Sequence, residues 1–405
     1  MYLCFFKSND MIKKATIILL LANMLVATIF AQVEEEKKSA FQLSFVPPLS
    51  TQGTEAPKYT NAFSFNILAG VSKNVTSFSL SSLGMYVVND LKGVHISGLA
   101  TIARNNGGGI MISSLLNRTK DFQGFQLSGL LNMANKTEGF QISGLGNIAK
   151  ADMEGFQLSG LINTAKHVDG SQMGGLMNIS LDVEGFQISS LVNTAKNVEG
   201  FQLSGFINVA KDVNGFQIAG LMNIADNNEY PLGLINIIKN NGEMSLGVSY
   251  DEIGSTVLSF RSGGRILYGI VGIGFNHKFD NDMVVEAGLG WHIPVSSRFR
   301  VNCELMNDHF ITMGERTTSY YDGGGSEKVV VNKGIEASHS RLSIMPAFKL
   351  LPKWEIFAGP SFNYLESDNI GNESVFPNNS LWKKYTDNKL QQLYFGFSVG
   401  THFIF

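Results

Sequence analysis

The residues of this 405-residue chain best suited to catalysis lie in its C-terminal third. A serine, a histidine and a carboxylate can together activate a hydroxyl group for acyl transfer, and His309, Ser338 and His339 flank one long predicted loop. A lipid-modifying enzyme would need such a group at the outer rim of a membrane barrel. No nucleophile elbow, phosphate-binding loop, zinc-ligand spacing or dinucleotide fingerprint accompanies these residues. We therefore expect a protein that is not an enzyme, with no catalytic residues, cofactor or metal, and keep a barrel enzyme acting on lipid as the alternative.

Charged residues of both signs occupy one face of the predicted C-terminal strands. They could form a conductance path through a narrow channel, or a catalytic carboxylate pair, or they could fill a lumen as ion pairs. Eight strands leave room only for side chains, and an unpaired buried charge is costly, so we expect ion pairs in the lumen. The residues concerned are Glu286, Arg298, Arg300, Glu304, Arg341, Lys349 and Glu355.

The strands that must hold these residues show a clear alternation of apolar with small or polar side chains, most plainly from Leu393 to Phe405. One apolar and one polar face over about ten residues is typical of membrane β-barrels. We predict a barrel over 242–405, and a hairpin at Lys328–Asn332 would raise its strand number from eight to ten. A terminal aromatic such as Phe405 resembles the insertion signal read by the barrel assembly machinery. The eight strands are predicted at 244–251, 255–262, 265–277, 283–293, 297–308, 339–350, 353–365 and 392–405.

A phrase of fifteen residues dominates the middle of the chain. It reads GFQLSGLLNMA from Gly124 to Ala134, followed by a polar turn, and it returns at Gly139, Gly155, Gly170, Gly185, Gly200 and Gly215. A period this short matches one coil of a β-solenoid. We expect arms of five residues with a glycine at the corner, and weaker copies extend the array to 62–241.

Stacked coils would place equivalent residues above one another in columns. We expect the phenylalanine and leucine columns to form the core, the asparagine column to hydrogen-bond along its length, and the glutamines to line a solvated face. A ligand-binding ladder is the alternative for the asparagines and glutamines. The phenylalanine column is Phe125, Phe140, Phe156, Phe186, Phe201 and Phe216; the leucine column is Leu130, Leu145, Leu161, Leu176, Leu191 and Leu221; the asparagine column is Asn132, Asn147, Asn163, Asn178, Asn193, Asn208 and Asn223.

Three segments together resemble a known family. They are Phe45-Val46-Pro47-Pro48-Leu49-Ser50, the stretch from Phe63 to Gly70, and the GFQ-x-SGL-x-N-x-A repeats. Over residues 41–241 the chain resembles the surface-repeat proteins of Bacteroidetes and Leptospira. This resemblance implies a protein of the cell surface, and it implies no particular ligand.

The N-terminus is typical of a secretory signal. Lys13 and Lys14 precede an apolar run that ends near Ala31, which predicts a signal peptide over 1–31 and a linker over 32–61. A membrane anchor is the alternative, and Met11 is a more natural start than Met1. Two cysteines, Cys4 and Cys303, leave no intrachain disulfide after cleavage. A net charge of −3 with 16% charged residues argues against a nucleic-acid partner.

These patterns predict an all-β protein, a short-period β-solenoid followed by an eight-stranded antiparallel transmembrane barrel. We expect a non-enzymatic outer-membrane protein of a Gram-negative bacterium, whose barrel anchors a repeat domain for structural or adhesive interaction. Its expected partners are outer-membrane lipid, the barrel assembly machinery and an unidentified protein or glycan. The simplest path of the chain through the membrane places the repeats in the periplasm, with the cell surface as the alternative. The repeats could instead extend the barrel wall, which would require arms longer than five residues.

Overall fold

A computed structural model of the chain describes residues 37–278, 282–311, 316–321, 327–332, 337–367, 377, 379–386 and 389–405. The predicted signal peptide, Cys4 and parts of two predicted long loops lie outside these residues. The described residues are almost entirely strands, with one short 3-10 helix at Gly53–Lys58, and among them no helix is long and apolar enough to cross a membrane. The described residues form two compact units, which divide between Ala151 and Asp152.

The first unit is a β-solenoid, as the repeat predicted. Each coil adds a long strand to one parallel sheet and a short strand to a second. The register is strict between central repeats, where Gly124 pairs with Gly139 and Phe125 with Phe140, and it shifts between Asn61 and Phe63 near the start of the array. The strands are β1 (Lys37–Val46), β2 (Leu49–Ser50), β3 (Tyr59–Asn66), β4 (Ala69–Ser72), β5 (Asn74–Ser81), β6 (Gly84–Val87), β7 (Leu91–Ser97), β8 (Ala100–Ala103), β9 (Gly107–Ser113), β10 (Leu116–Arg118), β11 (Asp121–Ser128), β12 (Leu131–Ala134), β13 (Lys136–Ser143) and β14 (Gly146–Ala149).

The second unit begins with six further coils of the same design, so the chain contains about twelve. Here Phe186 pairs with Phe201 and Asn193 with Asn208. The strands are β15 (Asp152–Ser159), β16 (Ile162–Thr164), β17 (His167–Gly174), β18 (Met177–Ile179), β19 (Asp182–Ser189), β20 (Val192–Thr194), β21 (Asn197–Ser204), β22 (Ile207–Val209), β23 (Asp212–Ala219), β24 (Met222–Ala225), β25 (Asn227–Leu232) and β26 (Ile235–Ile238).

The expected five-residue arms with a glycine at the corner are wrong. The repeat glycine lies inside an eight-residue strand; Gly200 adopts φ 133° within Asn197–Ser204. A β-carbon at Gly200 would lie 2.3 Å from the carbonyl oxygen of Gly185. Glycine is therefore required for a backbone angle that L residues rarely adopt and for the close approach of the coil below, and the strand continues through it.

The core of the solenoid is the reverse of the one expected. Phe186 is 53% exposed and Leu191 is 42% exposed, whereas Gln202 and Asn208 are fully buried. The phenylalanine and leucine columns therefore form the outer surface, and the glutamines do not line a solvated face. An alternating strand places Phe and Gln on opposite faces, but alternation alone does not say which face points inward.

The rest of the second unit is a closed, eight-stranded antiparallel barrel, as predicted. Each strand pairs with its neighbour, and the last pairs with the first along Ser245–Asp251. The barrel strands are β27 (Glu243–Asp251), β28 (Ser255–Gly263), β29 (Leu267–Asn276), β30 (Asp282–Pro294), β31 (Phe299–Ile311), β34 (Ala337–Leu351), β35 (Trp354–Ser367) and β37 (Lys389–Ile404).

Three further strands lie outside this ring. β32 (Arg316–Tyr321) and β33 (Glu327–Asn332) form a separate two-stranded sheet, and β36 (Trp382–Thr386) pairs antiparallel with the first residues of β37, Lys389–Leu393. Among the described residues the possible hairpin at Lys328–Asn332 therefore does not raise the strand number of the barrel. Phe395, Phe403 and Leu305 point outward and are 68%, 55% and 54% exposed.

Candidate functional site

The lumen of the barrel is filled by charged and hydrogen-bonding side chains. Near its middle, Arg261 holds Glu304 with two contacts, Nε to Oε1 at 2.8 Å and Nη2 to Oε2 at 3.0 Å. The hydroxyl of Tyr268 donates a third hydrogen bond to Glu304 at 2.8 Å. All three side chains are buried. An arginine and a carboxylate that are paired and hydrogen-bonded to each other can fill such a lumen stably.

A second cluster surrounds Glu355, towards the end of the barrel that carries the chain terminus. Arg300 Nε lies 2.8 Å from Glu355 Oε2, and Arg300 Nη1 lies 2.7 Å from Glu243 Oε1. Asn302 donates to Glu355 at 3.1 Å, and His402 Nδ1 lies 3.6 Å from the same carboxylate. Arg300 therefore joins two carboxylates from different strands across the lumen.

A third cluster lies near the opposite end of the barrel. Arg341 forms ion pairs with Glu286, with Asp251 at 3.1 Å and with Asp308 at 3.5 Å. His339 Nδ1 lies 3.3 Å from Asp308 Oδ2, and the Tyr394 hydroxyl lies 3.1 Å from His339 Nε2. This cluster therefore brings together three carboxylates, an arginine, a histidine and a tyrosine.

The third cluster also has the donor set of a metal site. Ligand atoms of Asp251, Asp308 and His339 lie within 4.8 Å of one another. Carboxylates and imidazole suit divalent cations, but the guanidinium of Arg341 contacts both aspartates and already supplies a positive charge between them. We therefore read this group as an ion-pair network, the same chemistry as in the other two clusters.

Two of the residues predicted for the lumen lie elsewhere. Arg298 is exposed in the turn before β31, because the strand begins one residue later at Phe299. Lys349 is half-buried at the rim, 4.0 Å from Glu243. Glu286, Arg300, Glu304, Arg341 and Glu355 do lie in the lumen. The terminal Phe405 is 55% exposed and stacks on Phe260, with ring centroids 6.4 Å apart.

The rim residues considered for catalysis are not brought together. His309 and Ser338 pair across neighbouring strands on the outer side of the wall, whereas His339 is buried inside it. Because adjacent residues on a strand face opposite sides, the wall separates Ser338 from His339. Sequence reasoning missed Asp251, Arg261, Tyr268 and Asp308; their alternation with apolar neighbours was the signal that could have identified them.

Within each unit of the solenoid the asparagine and glutamine columns form amide ladders. In the second unit, Asn193 donates to Asn208 Oδ1 at 3.0 Å and to the carbonyl of Leu203 at 2.7 Å. Gln202 donates to Gln187 Oε1 at 2.7 Å. Such ladders satisfy buried amides that would otherwise be costly. Because they are buried and bonded to one another, they offer no open face to a ligand.

The ladder of the second unit ends on the barrel. Asn223 donates to Asn236 Oδ1 at 2.8 Å, and Asn236 donates in turn to the carbonyl of Ser262 at 3.0 Å. The backbone amide of Asn236 also donates to Ser262 Oγ at 2.9 Å. The last coil is therefore joined to β28 by direct hydrogen bonds rather than by a free linker.

Comparisons with known proteins give little guidance. No family model and no curated protein matches this chain. Among solved structures, a chain from a study entitled "De novo design of transmembrane beta-barrels" is similar over 40% of this chain and 94% of its own, with 11% identity and a TM-score of 0.19.

Proposed function

We propose that this chain is a non-enzymatic outer-membrane protein of a Gram-negative bacterium, in which the barrel anchors a rigid repeat domain with a structural role. The observation that carries the proposal is the barrel itself. Its outer side is apolar over strands of nine to sixteen residues, and its lumen is filled by the three ion-pair clusters. This is the distribution of polarity that a β-barrel needs in a bilayer.

The joint between repeats and barrel supports a structural role more than that of a flexible adhesin. Asn236 hydrogen-bonds to Ser262, and a β-carbon on Gly269 would lie 2.0 Å from the carbonyl oxygen of Gly233. Backbones this close leave no freedom for a tether. An enzyme is less well supported, because His339 is separated from His309 and Ser338, and a channel is less well supported because the lumen is occupied.

Insertion and topology can be tested on cells. One epitope tag is placed in the repeat turn immediately before Asn197, at Lys196, and a second in the predicted loop 366–391, and each is probed with protease and antibody. We expect the loop tag to be reached on intact cells and the Lys196 tag only after the outer membrane is opened. Recovery of the protein in the soluble fraction would refute the membrane anchor. Labelling of the Lys196 tag on intact cells would instead favour an adhesive role at the surface.

A further inference from the structure

The outer surface of each coil in the second unit is divided into two halves of different polarity. The eleven residues from Gly200 to Ala210 contain no charge, whereas the four residues that follow, Lys211–Asn214, include Lys211 and Asp212. The other coils that begin with the repeat glycine follow the same rule. We call the uncharged half the apolar edge, with its tip at Gly205–Phe206, and the four-residue charged segments the polar edge.

The interior is divided in the opposite sense. Behind the apolar edge it holds Gln202, Ser204 and Asn208, and behind the polar edge it holds Val183 and Val198; all of these side chains are buried. A water-soluble domain is expected to have an apolar interior throughout. The half that has amide side chains inside and apolar side chains outside instead resembles the barrel of the same unit, which has a polar lumen and an apolar outer wall.

The tips meet a strict requirement for contact with hydrocarbon, where an unpaired backbone amide costs several kcal/mol. The amide of Gly220 donates to Ser204 at 3.2 Å, Leu221 to Phe206 at 3.2 Å and Met222 to Phe206 at 2.9 Å. Each of these tip amides thus bonds to the coil below. Lipid could cover this edge without leaving those groups unsatisfied.

The last coils are set against the barrel so that their tips reach its middle. The charged segment that begins the last coil, Asp226–Glu229, lies against the turn between β28 and β29. A β-carbon on Gly264 in that turn would lie 2.6 Å from the carbonyl oxygen of Glu229. The tips border an apolar groove of about 480 Å³ whose barrel side includes Leu289 of β30 and Leu305, the central residue of β31. The groove surface is therefore continuous with the outward, apolar wall of the barrel at mid-height.

The depth of the apolar edge matches one leaflet. From Phe201 to Phe206 the chain advances five residues, at most about 17 Å at about 3.3 Å per residue. Half of a hydrocarbon core about 30 Å thick is about 15 Å. A deeper insertion would carry Lys211 and Asp212 into the hydrocarbon, which is unfavourable.

We propose that the apolar edge is immersed in one leaflet of the bilayer and binds phospholipid acyl chains, while the polar edge lies among the headgroups. The inference rests on the proposed membrane insertion of the barrel. The leaflet is the one on the side of the β28–β29 turn and the chain terminus, which in an outer membrane is the periplasmic leaflet. The repeats then form a wall in that leaflet, and an acyl chain fills the groove between tips and barrel.

Site-directed spin labelling of the full chain in bilayer nanodiscs tests this placement. In a background carrying Cys4→Ser and Cys303→Ser, single cysteines are introduced as Ser190→Cys at a tip, Lys196→Cys on the polar edge and Phe362→Cys on the barrel wall, where Phe362 is 42% exposed and lies outside the groove. Collision of each nitroxide with oxygen, which partitions into lipid, is compared with collision with a polar nickel chelate. We expect Ser190→Cys to match Phe362→Cys, with chelate collision at least about tenfold below that of Lys196→Cys, because hydrocarbon excludes polar solutes.

The outcomes separate this inference from the proposed function. If Phe362→Cys is in lipid but Ser190→Cys collides with the chelate as Lys196→Cys does, the barrel is inserted and the leaflet placement is wrong. Exclusion of both reagents from Ser190→Cys would mean that protein covers the tip, which also overturns the inference. If Phe362→Cys itself is exposed to the chelate, the proposed membrane insertion fails.

Discussion

Replacing Asn193 by aspartate tests whether the amide ladder holds the repeats together. The side chain of Asn193 donates to Asn208 Oδ1 at 3.0 Å, to the carbonyl of Leu203 at 2.7 Å and to that of Gln187 at 3.3 Å. It accepts from Asn178 at 2.9 Å. Asn193→Asp preserves the shape and that acceptor, but an ionised carboxylate would face three acceptor oxygens. The variant should therefore fold only with its new carboxyl protonated.

The expected cost follows from these contacts. Keeping a carboxyl protonated at pH 7 costs about 4 kcal/mol, since its unfolded pKa is about 3.9 and each pH unit above it is worth about 1.36 kcal/mol. A protonated acid replaces one of the three donated hydrogen bonds, and the two lost bonds cost about 1 kcal/mol each. We expect a loss of about 6 kcal/mol at pH 7 and about 3.5 kcal/mol at pH 5, because the raised pKa is penalised only above the unfolded value.

Urea unfolding of the repeats in detergent-solubilised full-length protein, followed by pulse proteolysis at pH 5 and pH 7, measures both values. Asn214→Asp provides the matched control, since Asn214 is exposed on the polar edge, and its loss should stay below about 0.5 kcal/mol. A loss at Asn193→Asp that is below about 1 kcal/mol, or that is equal at the two pH values, would refute the argument that the ladder is dry and fully bonded.

Three further predictions use other features of the fold. Gly109→Ala should destabilise the first unit by at least about 2 kcal/mol, because Gly109 has φ 94° and a β-carbon there would lie 2.1 Å from a backbone oxygen. Gly108→Ala should be tolerated, because its β-carbon would lie 3.7 Å from the nearest backbone oxygen. Urea unfolding midpoints of the two variants provide the comparison. Burial lowers the pKa of His95 to about 4, so only the unfolded state gains a proton as the pH falls below about 6.5. The free energy of unfolding of the first unit should therefore decrease by up to about 3 kcal/mol by pH 4. His95→Gln should abolish this pH dependence of the urea midpoint. Glu304→Gln leaves Arg261 buried without its carboxylate and should cost about 3–5 kcal/mol, seen as loss of the folded barrel band at a lower temperature in gel-shift assays; an unchanged melting temperature would contradict the ion-pair account.

The barrel was predictable because its charges fix the orientation of each strand. Glu304 and Arg300 alternate with apolar neighbours, and a charge cannot face lipid, so the charged face had to point inward. The predicted strand ends differ from the observed ones by at most about three residues. Arg298 was misplaced because the same alternation was extended one step into an exposed turn.

The solenoid's orientation was missed because its strands were predicted too short. The observed strand Asn197–Ser204 carries Glu199 on the same outward face as Phe201 and Leu203, whereas the predicted arm began after the glycine and left Glu199 in a turn. Phe186 and Gln187 alternate as well as any core and surface pair, and the usual preference for buried aromatic residues gave the wrong answer. Two signals pointed the other way. The glutamine recurs in every copy, whereas Ser171 replaces the phenylalanine in one copy. In addition, the uncharged segment of each coil contains residues from both faces of the strand, so its outward face is uncharged as well.

The strict register of the coils has a consequence for how this chain can change over generations. Each coil offers the coil above it the surface that it receives from the coil below, with Gly200 over Gly185 and Asn208 over Asn193. Recombination between repeats can therefore add or remove fifteen residues without creating a new interface. The ends are different: β2 folds back on β1 at one end, and Asn236 bonds to the barrel at the other. Length should thus be the variable that drifts among descendants of this gene, while the two terminal coils stay fixed.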